Sequence, residues 1–136
     1  MGTVPLLRDE DCAPEARAVL DDIRAARGAE PNGFWRALAH APDEMRDVWQ
    51  RARRVMAPGA LDPLTKELIY VAVSAANGCA YCVHSHTAAA RAKGMTPQMH
   101  AELLGVIALA QRTNGLAQAL GVEPDAAFQA VQTPPG

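Results

Sequence analysis

Aromatic and β-branched side chains are both scarce in this sequence. Six of its 136 residues are Trp, Tyr or Phe, and Val plus Ile number 13 against 28 Ala. Strands favour the scarce groups, and alanine is the best helix former, so the composition argues against a sheet-based fold and for an all-helical one. A basic excess is also lacking. Thirteen Lys and Arg stand against 15 Asp and Glu, for a net charge of −2, which leaves no surplus to bind phosphate backbones and excludes nucleic acid as a partner. The longest charge-free apolar stretch, Leu68 to Val83, is broken by Ser74, Asn77 and Gly78. It falls short of the ~20 residues that span a bilayer. The opening MGTVPLLRDED has no basic segment followed by an apolar one, so no export signal is read and a cytoplasmic protein without a membrane partner is expected.

Hydrophobic residues make up 49% and charged ones 21%, a globular balance that excludes wholesale disorder. The length suits one domain over 1–136, with neither an internal repeat nor a low-complexity linker. Proline and glycine punctuation cuts it into helices. The first is expected from about Pro14 to Arg27, with Ala16, Val19, Leu20 and Ile23 on one face and Gly28 as its stop. A turn over Glu30–Gly33 leads into the short apolar segment Phe34–Ala39. Pro42 opens a helix with Met45, Val48, Trp49, Ala52 and Met56 at helical spacing and charged residues on its other faces. Asp62-Pro63 reads as a cap and first turn. The helix it opens, Leu64 to about Ala76, is apolar nearly all round and is expected to be central. Asn77-Gly78 forms a stop, and a new helix runs from about Cys79 to Lys93. Thr96-Pro97 opens another with Met99, Leu103, Val106, Ile107 and Ala110 on one stripe; Gly115 and Gly121 loosen its end, and a short helix is expected near Pro124 to Val131.

The chemistry concentrates at Cys79-Ala-Tyr-Cys82-Val-His84-Ser-His86. A zinc site would need Cys79, Cys82, His84 and His86 together, but tetrahedral structural sites usually join two separated ligand pairs, and His40 and His100 are isolated. On a helix Cys79, Cys82 and His86 share an arc of roughly 60°, while His84 points roughly 140° away. Covalent haem needs His directly after the second Cys, and Val83 stands there. A redox pair fits better. A CxxC at a helix N-terminus lies where the helix dipole stabilises a thiolate, an argument that favours Cys79 as the more acidic thiol. His86, one turn beyond Cys82, is positioned to accept its proton, and a hairpin at Asn77-Gly78 would swing the Glu67 carboxylate back toward the cluster, to orient His86 or to accept a proton through water. The alternative is a pair of buried core thiols. Cys12 stands in a polar segment with no nearby His, and no role is expected for it.

Glu67, eleven residues, Cys79-x-x-Cys82, three residues and His86 resemble the motif of the alkylhydroperoxidase D-like branch of the carboxymuconolactone decarboxylase superfamily. The surrounding ELIYVAVSAANGCAYCVHSHTAAARAKGMTP is similar to that family, as are PNGFWRALAHAPD and GALDPLTKE. The likeness covers about residues 31–122. It implies an all-helical domain built around a helical hairpin carrying the CxxC, assembled as a trimer or hexamer. It further implies a thiol-dependent peroxidase or disulfide reductase, antioxidant in role, that takes a small hydroperoxide and a dithiol electron donor and needs no metal or other cofactor. Carried onto this chain, Cys82 is the peroxidatic thiol, Cys79 the resolving thiol, and His86 with Glu67 the proton relay. Some members have a further relay His just before the second Cys; Tyr81 stands there in this chain, a departure that bears on peroxidase activity. Lactone decarboxylation belongs to the branch without the CxxC, and non-catalytic redox sensing is the other alternative. Apolar Phe34, Trp35 and Leu38, in a segment too short to bury them all, and the apolar helix after Pro63 are expected to mark subunit contacts.

Overall fold

The computed structural model describes residues 1–128. Among them there are six α-helices and two single 3-10 turns, with no strand: α1 Pro14–Arg27, α2 Gly33–Leu38, α3 Pro42–Met56, α4 Pro63–Ala76, α5 Ala80–Ala92 and α6 Pro97–Leu120. The expected all-α class is observed. The chain divides into two compact units, one ending at Ala60 and the other starting at Leu61.

In the first unit, α1 packs on α3 and α2 caps the pair. Pro14 opens α1, and Gly28, at φ 64°, closes it in the left-handed region that glycine adopts without strain. The predicted face of Ala16, Val19, Leu20 and Ile23 is buried. Trp35 is only 4% exposed and meets Trp49 edge to face at 5.5 Å. Leu38 packs against the same core, whereas Phe34 is exposed. The expectation that this segment could not bury all three apolar residues locally therefore holds through Phe34, while Trp35 and Leu38 join the core and are not free to form the contact expected of them. A six-residue helix laid across α3 gives the indole a pocket between α1 and α3 residues, a long-range contact that spacing within the segment does not report.

The second unit is the α4–α5 hairpin with α6 against α4. Asp62 caps α4, its Oδ1 accepting the Thr65 N–H at 2.9 Å, and Thr96 caps α6 by accepting the Met99 N–H at 3.1 Å. The inner face of α4 is Glu67, Val71 and Ser74, spaced by four and three residues. Its other side is largely uncovered: Ile69 and Val73 are exposed. The expectation of a central helix thus holds for one face only, because three helices supply too little surface to wrap it. On α6 the predicted stripe narrows to half-buried Met99, Leu103 and Ile107, with Val106 and Ala110 exposed. The helix runs through Gly115 to Leu120 instead of loosening there, the glycine being tolerated inside an otherwise Ala- and Leu-rich turn. Of the helix expected at Pro124–Val131, the described part is a 3-10 turn over Ala126–Phe128; the rest lies outside the described residues.

Candidate active site

The site is made by the turn between α4 and α5. Gly78 takes φ +69°, its N–H bonding the Ala75 carbonyl at 3.2 Å, and the Cys79 N–H bonds the Ser74 carbonyl at 2.9 Å. This pair of bonds is the Schellman closure of a helix, which requires the left-handed residue that Asn77-Gly78 supplies. It leaves Cys79 as both the last residue of that closure and the N-cap of α5, where its Sγ accepts the Cys82 N–H at 3.3 Å. Cys79 and Cys82 are joined as a disulfide. Both are partly exposed.

One turn beyond Cys82, His86 meets the carboxylate that the hairpin brings back from α4. His86 Nδ1 lies 2.7 Å from Glu67 Oε2, and the other oxygen, Oε1, accepts from Lys93 Nζ at 3.1 Å. Glu67 is 4% exposed. Burial pushes its carboxyl up, but the hydrogen bonds from His86 and Lys93, with the charges behind them, outweigh burial and hold it below the usual carboxylate range. An ionised carboxylate only accepts hydrogen bonds, so the contact assigns the proton to Nδ1 of His86 and leaves Nε2 as the basic nitrogen. Tyr70, on α4, stacks on the imidazole with centroids 3.5 Å apart and planes at 18°. The ring is thus fixed in plane by Tyr70 and in rotation by Glu67.

Of the predicted site residues, the structure pairs Cys79 with Cys82 and His86 with Glu67, His86 standing one turn after Cys82 on α5. His84 is not part of the contact; it lines an open pocket of about 280 Å³ with Cys79, Ser74, Gly78 and Val83. Tyr81, inside the CxxC, is exposed. Cys12 belongs to the first unit, where its thiol bonds the Arg8 carbonyl at 3.3 Å and burial pushes it up from the ordinary thiol value. Among the described residues no cluster of three or more His, Cys, Asp or Glu side chains is arranged to hold a metal ion. Two contacts of the site were not read from the sequence, Lys93 and Tyr70. Each carries a spacing signal: Lys93 is seven residues, two turns, after His86, and Tyr70 is three after Glu67.

The family model for "Carboxymuconolactone decarboxylase family" matches residues 42–122. Among solved structures, the alkylhydroperoxidase AhpD core from Rhodospirillum rubrum is 53% identical, with a TM-score of 0.92 over 96% of this chain and 99% of that one. An AhpD core from Ralstonia eutropha, an uncharacterized peroxidase-related protein, shares the fold at 21% identity and a TM-score of 0.52, covering 92% of this chain and 93% of that one. Curated relatives include alkyl hydroperoxide reductase AhpD of Solibacter usitatus, 42% identical over 72 residues, which are 53% of this chain and 39% of that protein. Another is uncharacterized protein 4 in the cox locus of Paracoccus denitrificans, 43% identical over 54 residues, 40% of this chain and 49% of that one. The matched segments thus span less than half the length of either curated relative.

Proposed function

The chain belongs to the carboxymuconolactone decarboxylase family, in its alkylhydroperoxidase D-like branch, and from that premise we propose that it is a thiol-dependent peroxidase that reduces small hydroperoxides with electrons from a dithiol. The observation that carries this reading is the cysteine pair at the α5 N-terminus with a carboxylate-held imidazole one turn beyond Cys82. In the reduced enzyme, His86 Nε2 takes the Cys82 proton and the thiolate attacks the terminal oxygen of the hydroperoxide. The O–O bond breaks, Cys82 becomes a sulfenic acid, and the alkoxide leaves as an alcohol with the proton that His86 returns. The Cys79 thiol then displaces hydroxide from that sulfur, giving the disulfide and water. A donor dithiol attacks Cys82, and Cys79 leaves as a thiolate stabilised by the Cys82 N–H it accepts and by the helix N-terminus. The second donor thiol completes the exchange. The net reaction consumes one hydroperoxide and one dithiol and yields alcohol, water and a donor disulfide.

This assignment reconciles two arguments that favour different sulfurs. The dipole makes Cys79 the better leaving thiolate, while the base beside Cys82 makes that sulfur the attacking one. The redox centre in this proposal is the cysteine pair itself. A pair that must be reset each turnover suits a reducing compartment, and we place the protein in the cytoplasm on that ground; no helix of the described residues is long and apolar enough to cross a membrane. The exposed apolar faces of α4 and α6 support self-association, as a trimer or a hexamer.

Peroxide-dependent oxidation of a dithiol donor, followed in wild type, Cys82→Ser and Cys79→Ser, tests the reading. Turnover is expected in wild type and abolished in both variants. Undiminished turnover in Cys82→Ser overturns the assignment, and a disulfide that forms reversibly without turnover points instead to redox sensing.

A further inference from the structure

We propose that Lys93 is a positioning residue of this site: its ammonium fixes one oxygen of Glu67 so that the other holds His86 toward Cys82, and its charge cancels that of Glu67. The inference rests on the reading of Cys82 as the reactive thiol. Three observations carry it.

The first is the sharing of one buried carboxylate. Glu67 is 4% exposed, and its two oxygens are divided between His86 at 2.7 Å and Lys93 at 3.1 Å. A carboxylate with one oxygen tied is free to turn about its last bond; with both tied, its orientation is set, and so is that of the imidazole it holds.

The second is the anchoring of Lys93 itself. It is the C-cap of α5, its N–H bonding the Ala89 and Ala90 carbonyls at 3.1 Å each. The next residue, Gly94, has φ +102°, and the Met95 N–H closes back on Ala90 at 3.0 Å. The lysine stem therefore rises from fixed backbone, two turns after His86 on the same face of α5. This is the second Schellman closure of the hairpin: the first presents Cys79, and the second presents Lys93.

The third is the charge balance. Without Lys93, an ionised Glu67 leaves the neighbourhood of Cys82 with an uncompensated negative charge, which disfavours a thiolate. With Lys93 the carboxylate and ammonium cancel, and Glu67 can orient His86 without repelling the sulfur it serves. The titratable groups that act on Glu67 are His86, on α5, and Lys93, at its C-cap. Lys66 and Tyr70 stand beside it on α4, His84 and Arg91 elsewhere on α5, and α6, packed on α4, brings His100, Glu102 and Arg112.

The test is the pH dependence of Cys82 alkylation in the reduced protein, mapped by mass so that Cys79 and Cys12 are read separately. Removing a nearby positive charge raises the midpoint. Lys93→Met and Lys93→Gln are expected to raise it by about half a pH unit or more, and Lys93→Arg to restore the wild-type value. In a Glu67→Gln background the Lys93→Met shift is expected to shrink, since the part that runs through the carboxylate is lost while the direct effect of the charge remains. Denaturation midpoints measured alongside separate this from a purely structural role. A Lys93→Gln midpoint equal to wild type, whatever its stability, overturns the proposal, as does a Lys93→Met shift that persists unchanged in Glu67→Gln. If Lys93→Met does not fold, the Gln and Arg variants carry the comparison. The readout needs no peroxide, so a chain that fails to turn over hydroperoxide yet shows the shift disproves the peroxidase reading and leaves the positioning role standing.

Discussion

At the residue scale the site turns on Glu67, a carboxylate that is buried yet held ionised. Its folded-state value lies below the ordinary carboxylate range, so ionisation stabilises the fold above the unfolded value of about 4.3, and this contribution is lost as pH falls through the lowered value. Glu67→Gln is expected to be less stable than wild type at neutral pH, with the gap closing as both are taken from about pH 6 to about pH 3; denaturant midpoints along that series check it. A gap that is constant with pH would mean that the ion pairing contributes nothing. The same substitution removes the acceptor that fixes the His86 tautomer, and His86→Ala removes the base itself, so the latter should slow peroxide reduction by about 10²-fold or more under the proposed mechanism. Of these residues, Glu67, His86 and both cysteines were legible because helical spacing and one turn signal are enough to bring them together. Lys93 and Tyr70 were not. A lysine near a helix end and a tyrosine in an apolar helix have ordinary structural readings, and only the hairpin geometry shows that both reach His86 or its carboxylate.

At the element scale the decisive feature is a glycine. Gly78 at φ +69° has nothing within 4 Å of the position a Cβ would take, so Gly78→Ala meets no neighbour and pays only in backbone strain, roughly 1–2 kcal/mol for a left-handed alanine. The turn can relieve that strain only by opening the Schellman bonds that deliver Cys79 to the α5 N-terminus. Gly78→Ala is therefore expected to lose about 1 kcal/mol in denaturation and to re-form the Cys79–Cys82 disulfide more slowly after reduction. Unchanged reoxidation would show that the turn does not govern the cysteine pair. Turns and caps such as Asn77-Gly78, Asp62-Pro63 and Thr96-Pro97 were readable because their bonds are local. The faces of α4 and α6 were less so. Leu, Val and Ala surround both helices, and a sequence in which nearly every face is apolar does not say which one is covered.

At the scale of the whole molecule that ambiguity becomes a prediction. Leu104, Val106, Leu109 and Leu116 on α6, with Ile69 and Val73 on α4, are each about half exposed or more, and apolar residues at this density on neighbouring helices are rarely left to water. Light scattering at micromolar concentration should give three or six times the chain mass of 14.4 kDa. Leu109→Glu should lower that mass if the α6 face is the contact. A mass near 14.4 kDa for wild type would refute self-association. The sequence points to Phe34, Trp35 and Leu38 as contact residues as well. Trp35 and Leu38 instead complete the core of the first unit, and the exposed apolar surface of the second unit is what supports association.

The most direct test of the central claim is to mix the pre-reduced Cys79→Ser variant with an alkyl hydroperoxide and weigh the product. The mechanism predicts a protein one oxygen atom heavier, with the sulfenic acid on Cys82 and one alcohol released per chain, while wild type under the same conditions yields the Cys79–Cys82 disulfide without the added oxygen. An unmodified Cys82 in the presence of excess hydroperoxide, or oxygen found on Cys12 instead, would contradict it.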